Sequence, residues 1–156
     1  MDEREAKRLS LQLMETTWAV YVTTIDENGF PHTRAMDNWR SRERFPRLVD
    51  VFKSNDDDFW ILLGTNTSSS KMTHLRKNPN VSVYYCEPKE FRGLALRGTA
   101  EIVTDTQLKR EVWHDYWAVF YKTMDDPDYT VLSIHPTCAD GWWENCKFRF
   151  NLDKKE

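Results

Sequence analysis

The sequence predicts a mainly β, α+β chain: a small antiparallel barrel flanked by helices. Three observations point there. The apolar segments are short and rich in β-branched and aromatic residues, as strands are. They do not alternate regularly with helical segments, as the strands of a parallel sheet do. Gly93 and Gly98 interrupt the longest strand-like segment, where a barrel has to bend or bulge. At 156 residues and 40% hydrophobic content, the chain fits one domain spanning 1–156.

"REAKRLSLQLMETT" places Ala6, Leu9 and Leu13 on one helical face, which predicts an amphipathic helix over about residues 3–16. "WAVYVTTI" (18–25) reads as a strand, "DENG" as a turn, and "FPHTRAMDNW" (30–39) as the returning arm of a hairpin. In the charged segment 40–58, Phe45, Leu48, Val49 and Phe52 have helical spacing, so a short helix is expected. Arg40, Arg42, Arg44 and Arg47 cluster there. The ordinary reading is a solvated face balanced by nearby acids, and contact with an anion is the alternative. "DFWILLG" (58–64) is a continuous apolar run, hence a buried strand. "VSVYYCE" (81–87) and "FRGLALRGTAEIVT" (91–104) are the next strands. "DTQLKREVWHDYWAVFYK" (105–122) predicts a single helix with Asp105 as N-cap. Its apolar face is Leu108, Val112, Tyr116 and Val119, widened by Trp113, Trp117 and Phe120. "DDPD" breaks the chain, and "YTVLSIHP" and "GWWENCKFRFNL" close it as two strands.

Composition narrows the function. A net charge of −3 argues against a general nucleic-acid binder. No apolar run approaches the ~18 residues of a membrane span. "MDEREAKRL" lacks the apolar stretch of a signal peptide, and Cys86, Cys138 and Cys146 form no C-x-x-C pair. Reduced thiols in a cytoplasmic protein are the simplest account. Seven Trp, six Tyr and eight Phe are many for this length. The surplus fits either a Trp-rich core or a dimer interface or planar ligand.

The stretch "GTNTSSSKMTHLRKNP" (64–79) carries the chemistry. It matches neither a P-loop nor, beyond four residues, a serine–lysine nucleophile. "SSKMTHLRKN" reads as a helix with Met72 and Leu75 facing inward, stopped by Asn78-Pro79. Serines at its start either cap it or, with free N–H groups and Lys71, cradle a phosphate.

Taken together, "NGFPHTRAM", "WILLGTNTSSSKMTHLRKNPNVSVYY", "LRGTAEIVTD" and "DPDYTVLSIHPTCADGWW" resemble the pyridoxamine-phosphate oxidase-like, FMN-binding split barrels. Within that family the general stress protein subgroup is the most similar. The likeness covers nearly the whole chain. It implies an antiparallel split β-barrel that forms a homodimer with FMN at the subunit interface. By that resemblance Arg34, Ala35 and Met36 line the flavin and its ribityl chain, and Gly64 and Thr65 touch the flavin. Ser69, Ser70 and Lys71 hold the phosphate, and Trp143 approaches the ring from the partner chain. Period-2 alternation puts Asn38 on the same side of its strand as Arg34 and Met36.

The likeness to the oxidase itself is incomplete. Ser70 stands where the oxidase often has Arg, Gly93 where it has Gln, and "CKFRFNL" replaces its R-x-H-D-R block. FMN binding is therefore expected without vitamin B6 oxidation. The expected activity is that of an FMN-dependent oxidoreductase, passing a hydride from a nicotinamide donor to a small acceptor. A flavin-binding stress or redox-sensing protein without turnover is the alternative, and a deazaflavin or haem a third reading. His32, His114 or His135 would then supply an axial ligand. His32 could also be a proton donor, although an exposed hairpin histidine is the plainer reading. His135, Cys138 and Cys146 do not have zinc spacing, so no metal is expected.

Overall fold

Helix α1 (Glu3–Thr16) opens the computed structural model, which describes residues 1–152. The last four residues of the expected domain lie outside the described residues. The Asp2 carboxylate accepts the Glu5 N–H at 2.8 Å and so caps α1. Ala6, Leu9, Leu13 and Met14 are buried along one face of the helix.

Strands β1 (Ala19–Ile25) and β2 (Pro31–Asp37) form the expected hairpin. Its turn holds Gly29 at φ +82°, a conformation that L side chains rarely adopt. A short helix α2 (Val49–Lys53) follows, then β3 (Ile61–Asn66), α3 (Ser70–Lys77), β4 (Asn80–Glu87) and β5 (Arg92–Ile102). Helix α4 (Thr106–Val112), β6 (Tyr129–Trp143) and β7 (Cys146–Asn151) complete the chain. Every strand pair is antiparallel, in the order β2-β1-β4-β5-β6-β3, with β7 added to β6. The expected antiparallel split barrel with flanking helices is what forms.

Two apolar cores explain the sequence pattern. One fills the barrel with Val20, Val22, Ile61, Leu63, Val83, Leu94, Leu96 and Leu132, and α1 plugs it. The other lies outside the barrel, where Phe45, Leu48, Phe52, Val112 and Trp117 cover Trp60, Leu62 and Val131. β3 and β6 are therefore buried on both faces, which is why "WILLG" and "YTVLSI" are continuous apolar runs.

Two expectations are corrected. The helix predicted over 105–122 stops at Val112, with Asp105 as its N-cap. Trp113 turns extended, and a 3₁₀ turn, Asp115–Val119, begins under an N-cap from His114. The predicted face also splits: Trp117 is buried, whereas Tyr116, Val119 and Phe120 are exposed. The two closing strands are divided at a different place. "YTVLSIHPTCADGWW" is one 15-residue strand, and the turn comes at Glu144 and Asn145, with Glu144 at φ 55°. Pro136 does not end β6 because it sits at a bulge. The register shifts between Arg97 and Gly98 there, so a missing N–H is tolerated. Gly98 lies so close to β6 that a Cβ would come within 2.6 Å of the His135 carbonyl oxygen.

Among the described residues, no helix is long and apolar enough to cross a membrane. Cys86, Cys138 and Cys146 are free thiols.

Candidate functional site

A cleft of about 430 Å³ opens between the β1–β2 hairpin, the end of β3, the start of α3 and the 3₁₀ turn after α4. Small-molecule sites occupy roughly 300–1,000 Å³, so its size is suitable. Ala35, Met36 and Asp37 all line it, although their side chains alternate between faces. The cleft therefore runs along the edge of β2, which is an end strand of the sheet. An edge strand carries unpaired backbone N–H and C=O groups.

The end near α3 is cationic. Lys71 Nζ donates to Thr65 Oγ1 at 2.6 Å and to Ser69 Oγ at 3.2 Å. Neither Lys71 nor Arg34 has a carboxylate partner among the described residues. Burial, and then the Arg34 guanidinium, hold the Lys71 ammonium below its ordinary value. Burial also lowers Arg34.

Simple capping does not account for the serines. Ser69 occupies the N-cap position of α3, yet its hydroxyl makes no capping bond. It faces Lys71 and, at 3.4 Å, Thr65 Oγ1. The N–H groups of Ser70 and Lys71, first in α3, have no intrahelical acceptor and point out of the helix start. Ser70 itself is exposed. Lys71, the nearby charge of Arg34, the Thr65 and Ser69 hydroxyls and the unbonded N–H groups of Ser70 and Lys71 gather at this end, and that donor set suits a phosphate monoester.

The loop entering α3 is pinned by Asp128. Its carboxylate accepts Asn66 Nδ2 at 2.7 Å and the Ser68 N–H at 2.8 Å. Thr67 bonds Thr130 Oγ1 at 2.7 Å, and the Tyr121 hydroxyl donates to Asn66 Oδ1 at 3.3 Å. The Asn66 bond, then the Ser68 N–H, hold the Asp128 carboxyl below its ordinary value.

The remaining wall is aromatic: Trp39, Tyr116, Trp117, Phe120, Tyr121 and Tyr129. Trp39 stacks on Trp117 with ring centroids 5.1 Å apart. Gly64 makes room for Trp39, since a Cβ there would meet the indole at 2.5 Å. Further along β2, Arg44 binds Asp37 at 2.5 Å and lies 4.6 Å from the Trp18 ring.

Of the expected residues, Ala35, Met36, Gly64, Thr65 and Lys71 line the cleft, and Ser69 touches Lys71. Arg34, on the same strand, does not line the cleft, but its charge acts on Lys71. Asn38 is elsewhere. It is 1% exposed, and its Nδ2 donates to the Met14 and Thr17 carbonyls at 2.8 Å. β2 ends at Asp37, so strand alternation does not extend to Asn38, which instead satisfies the open carbonyls at the end of α1. Trp143 does not reach the cleft of its own chain; the Arg92 guanidinium lies 4.2 Å from its ring. The basic cluster is not a solvated face throughout. Arg40 is buried and donates to the Trp60 carbonyl at 2.7 Å, and Arg47 bonds the Trp113 carbonyl. Arg42 pairs with Glu15 at 2.7 Å. His135 is engaged by Asp57 at 2.7 Å, and the described residues contain no metal-binding group of His, Cys, Asp or Glu.

Sequence reasoning did not assign the residues of the aromatic wall and missed the Asp128 clamp. The surplus of aromatic residues was the only signal for the first. "DDPD" was legible as a turn but not as a partner of the serine loop.

A family model for pyridoxamine 5'-phosphate oxidase matches residues 11–143. General stress protein 26 of Bacillus subtilis (strain 168) is 23% identical over 139 residues, covering 87% of each chain. A solved structure of a protein related to general stress protein 26, from Clostridium acetobutylicum, matches with a TM-score of 0.74. It is 30% identical over 97% of each chain. A pyridoxamine 5'-phosphate oxidase-related, FMN binding protein from Nostoc punctiforme PCC 73102 matches with a TM-score of 0.68 at 11% identity. The match covers 99% of this chain and 94% of that one, and the likeness is one of fold.

Proposed function

The chain belongs to the pyridoxamine 5'-phosphate oxidase family, and from that premise we propose that it binds FMN in the β2-edge cleft and acts as a flavin-dependent oxidoreductase on a small molecule. The observation that carries this reading is the donor set at one end of an aromatic-walled cleft: Lys71 and Arg34, with no carboxylate partner among the described residues, Ser69 and the free N–H groups of α3. The fold-level likeness to an FMN binding protein agrees with it.

Lys71 and the α3 start would hold the phosphate. The open edge of β2 offers alternating N–H and C=O groups to a planar heterocycle, and the aromatic wall excludes water from it. Bound there, a flavin supplies the two-electron chemistry that the side chains lack. A nicotinamide donor as its reductant is part of the proposal. So is a homodimer in which Trp143 comes from the partner chain. Loss of the oxidase's R-x-H-D-R block makes a substrate other than pyridoxamine phosphate part of it too.

A second reading is flavin storage or redox sensing without turnover. One observation favours it: Asp37, the only carboxylate among the described residues lining the cleft, is already tied to Arg44, so it is not free to move a proton. Two measurements decide. Protein purified with a yellow chromophore that is released on denaturation and runs as FMN supports the cofactor; colourless protein that ignores added FMN overturns it. Anaerobic bleaching of the flavin by NADH or NADPH supports the oxidoreductase, and a flavin inert to both supports storage or sensing.

A further inference from the structure

Arg34 lies near enough to Lys71 for its charge to act there, and hydrogen bonds fix its guanidinium. Its Nη1 donates to Thr24 Oγ1 at 2.8 Å, to the His32 carbonyl at 2.8 Å and to the Val22 carbonyl at 3.3 Å. All three acceptors share the two hydrogens of one nitrogen. The Nε–Nη2 edge, which can grip an oxyanion with two parallel bonds, has no partner among the described residues.

A guanidinium only donates, so Thr24 Oγ1 must accept, and its own proton is left to give. The acceptor within reach is His74 Nδ1, at 2.9 Å, in the tautomer that carries its proton on Nε2. Thr24 is fully buried in β1, where a hydroxyl without an acceptor is costly. His74 lies on α3, three residues beyond Lys71, and its ring is held in place. The His32 ring packs 4.9 Å from it, and His32 Nε2 is bonded to Asp26 at 2.8 Å. Helix α3 thus carries one cation of the site and, through Thr24, orients the other.

We propose that His74 is a positioning residue for the anion site: by accepting the Thr24 proton it holds Arg34 beside Lys71, so that one phosphate monoester meets both cations. The inference rests on the FMN reading. It makes the pair Thr24–His74 a determinant of phosphate recognition, with no contact of its own to the ligand. Their loss would leave Lys71 in place and Arg34 held only by the His32 and Val22 carbonyls.

The test compares FMN with riboflavin, which lacks the phosphate, by fluorescence titration of the flavin-free full chain. Wild type, Thr24→Val, His74→Leu, His74→Gln and the Thr24→Val/His74→Leu double variant are titrated. Each of Thr24→Val and His74→Leu is expected to weaken FMN roughly three- to tenfold, the range of one ordinary hydrogen bond. Riboflavin binding should not change. The double variant should be no weaker than either single one, because both break the same chain. His74→Gln, whose amide oxygen can accept the same proton, should recover most of the loss. Equal losses for FMN and riboflavin, or losses that add in the double variant, overturn the proposal. If His74→Leu does not fold, Thr24→Val and His74→Gln carry the comparison. Wild type that binds FMN no better than riboflavin overturns the phosphate reading itself. An FMN preference that survives both single substitutions overturns only the positioning role.

Discussion

Lys71 is an ammonium that the folded chain partly dehydrates and does not neutralise. Its folded pKa lies below the ordinary 10.5. A base of that kind binds fewer protons folded than unfolded throughout the window between the two values. Stability of the flavin-free chain therefore rises as pH climbs through that window toward 10.5, and the penalty is fully present below it. Lys71→Met should flatten this rise and leave the flavin-free protein at least as stable as wild type in urea unfolding. The same change should weaken FMN by about 1.5–3 kcal/mol, the scale of a charged hydrogen bond. Unchanged FMN affinity would place the phosphate elsewhere. Gly64 is constrained in the opposite way, by contact. Trp39 is 2% exposed and stacked on Trp117, so it cannot yield easily to a new Cβ 2.5 Å away. Gly64→Ala should cost about 1–3 kcal/mol of stability by urea titration and disturb the aromatic wall together with the fold.

At the level of elements, the loop between β3 and α3 depends on a partner from the far side of the chain. Asp128 is held below 3.8 by Asn66 and the Ser68 N–H, so it stabilises the fold above pH 3.8. That contribution disappears as pH falls through the lower, folded value. Asp128→Ala should lower the melting temperature at neutral pH and weaken FMN, and the difference from wild type should vanish in acid. Thermal melts of both proteins from pH 7 down to pH 2 would show it. Gly98→Ala should destabilise β5 and β6 by about 1–3 kcal/mol, since the neighbour it meets is backbone and cannot turn away.

The elements differ in how much of them the sequence discloses, and the reasons are local. α1 is legible because Ala6, Leu9 and Leu13 repeat at helical spacing and face one core. β3 is legible because both faces are buried. The break after Val112 is hidden, because a 3₁₀ turn follows at once and keeps aromatic residues at nearly helical intervals. The length of β6 is hidden because Pro136 looks like a terminator until β5 is seen to bulge opposite it. In the cleft, Gly64, Thr65 and Lys71 were named through resemblance to a family, on contiguous blocks of sequence. Thr24, His74 and Asp128 act across 50 and 60 residues, a separation that no periodicity reports.

For the whole molecule, the outer face of the barrel is the main question. Tyr21 and Trp142 are each 39% exposed, and Tyr84 lies between them, paired with Tyr21 and 5.8 Å from the Trp142 ring. Ala35, which lines the cleft, is the cross-strand neighbour of Tyr21. A second copy seated on this aromatic face would therefore also close one side of the cleft. If the proposed homodimer uses this face, Tyr84→Asp should make it monomeric in sedimentation and weaken FMN in parallel. A variant that stays dimeric, or becomes monomeric with full FMN affinity, would separate the two properties.

The pairing of β3 with β6 also affects how the protein comes into being. Residues 61–66 must find 129–134 across nearly half of the chain, and such distant closures come late and slowly in folding. The cleft takes its walls from both sides of that closure, so it has no earlier existence. A ligand of the cleft is then a late arrival, with no shape to bind while the barrel is still open. FMN should leave the rate of refolding nearly untouched and slow the rate of unfolding, so that its contribution is to persistence rather than to assembly.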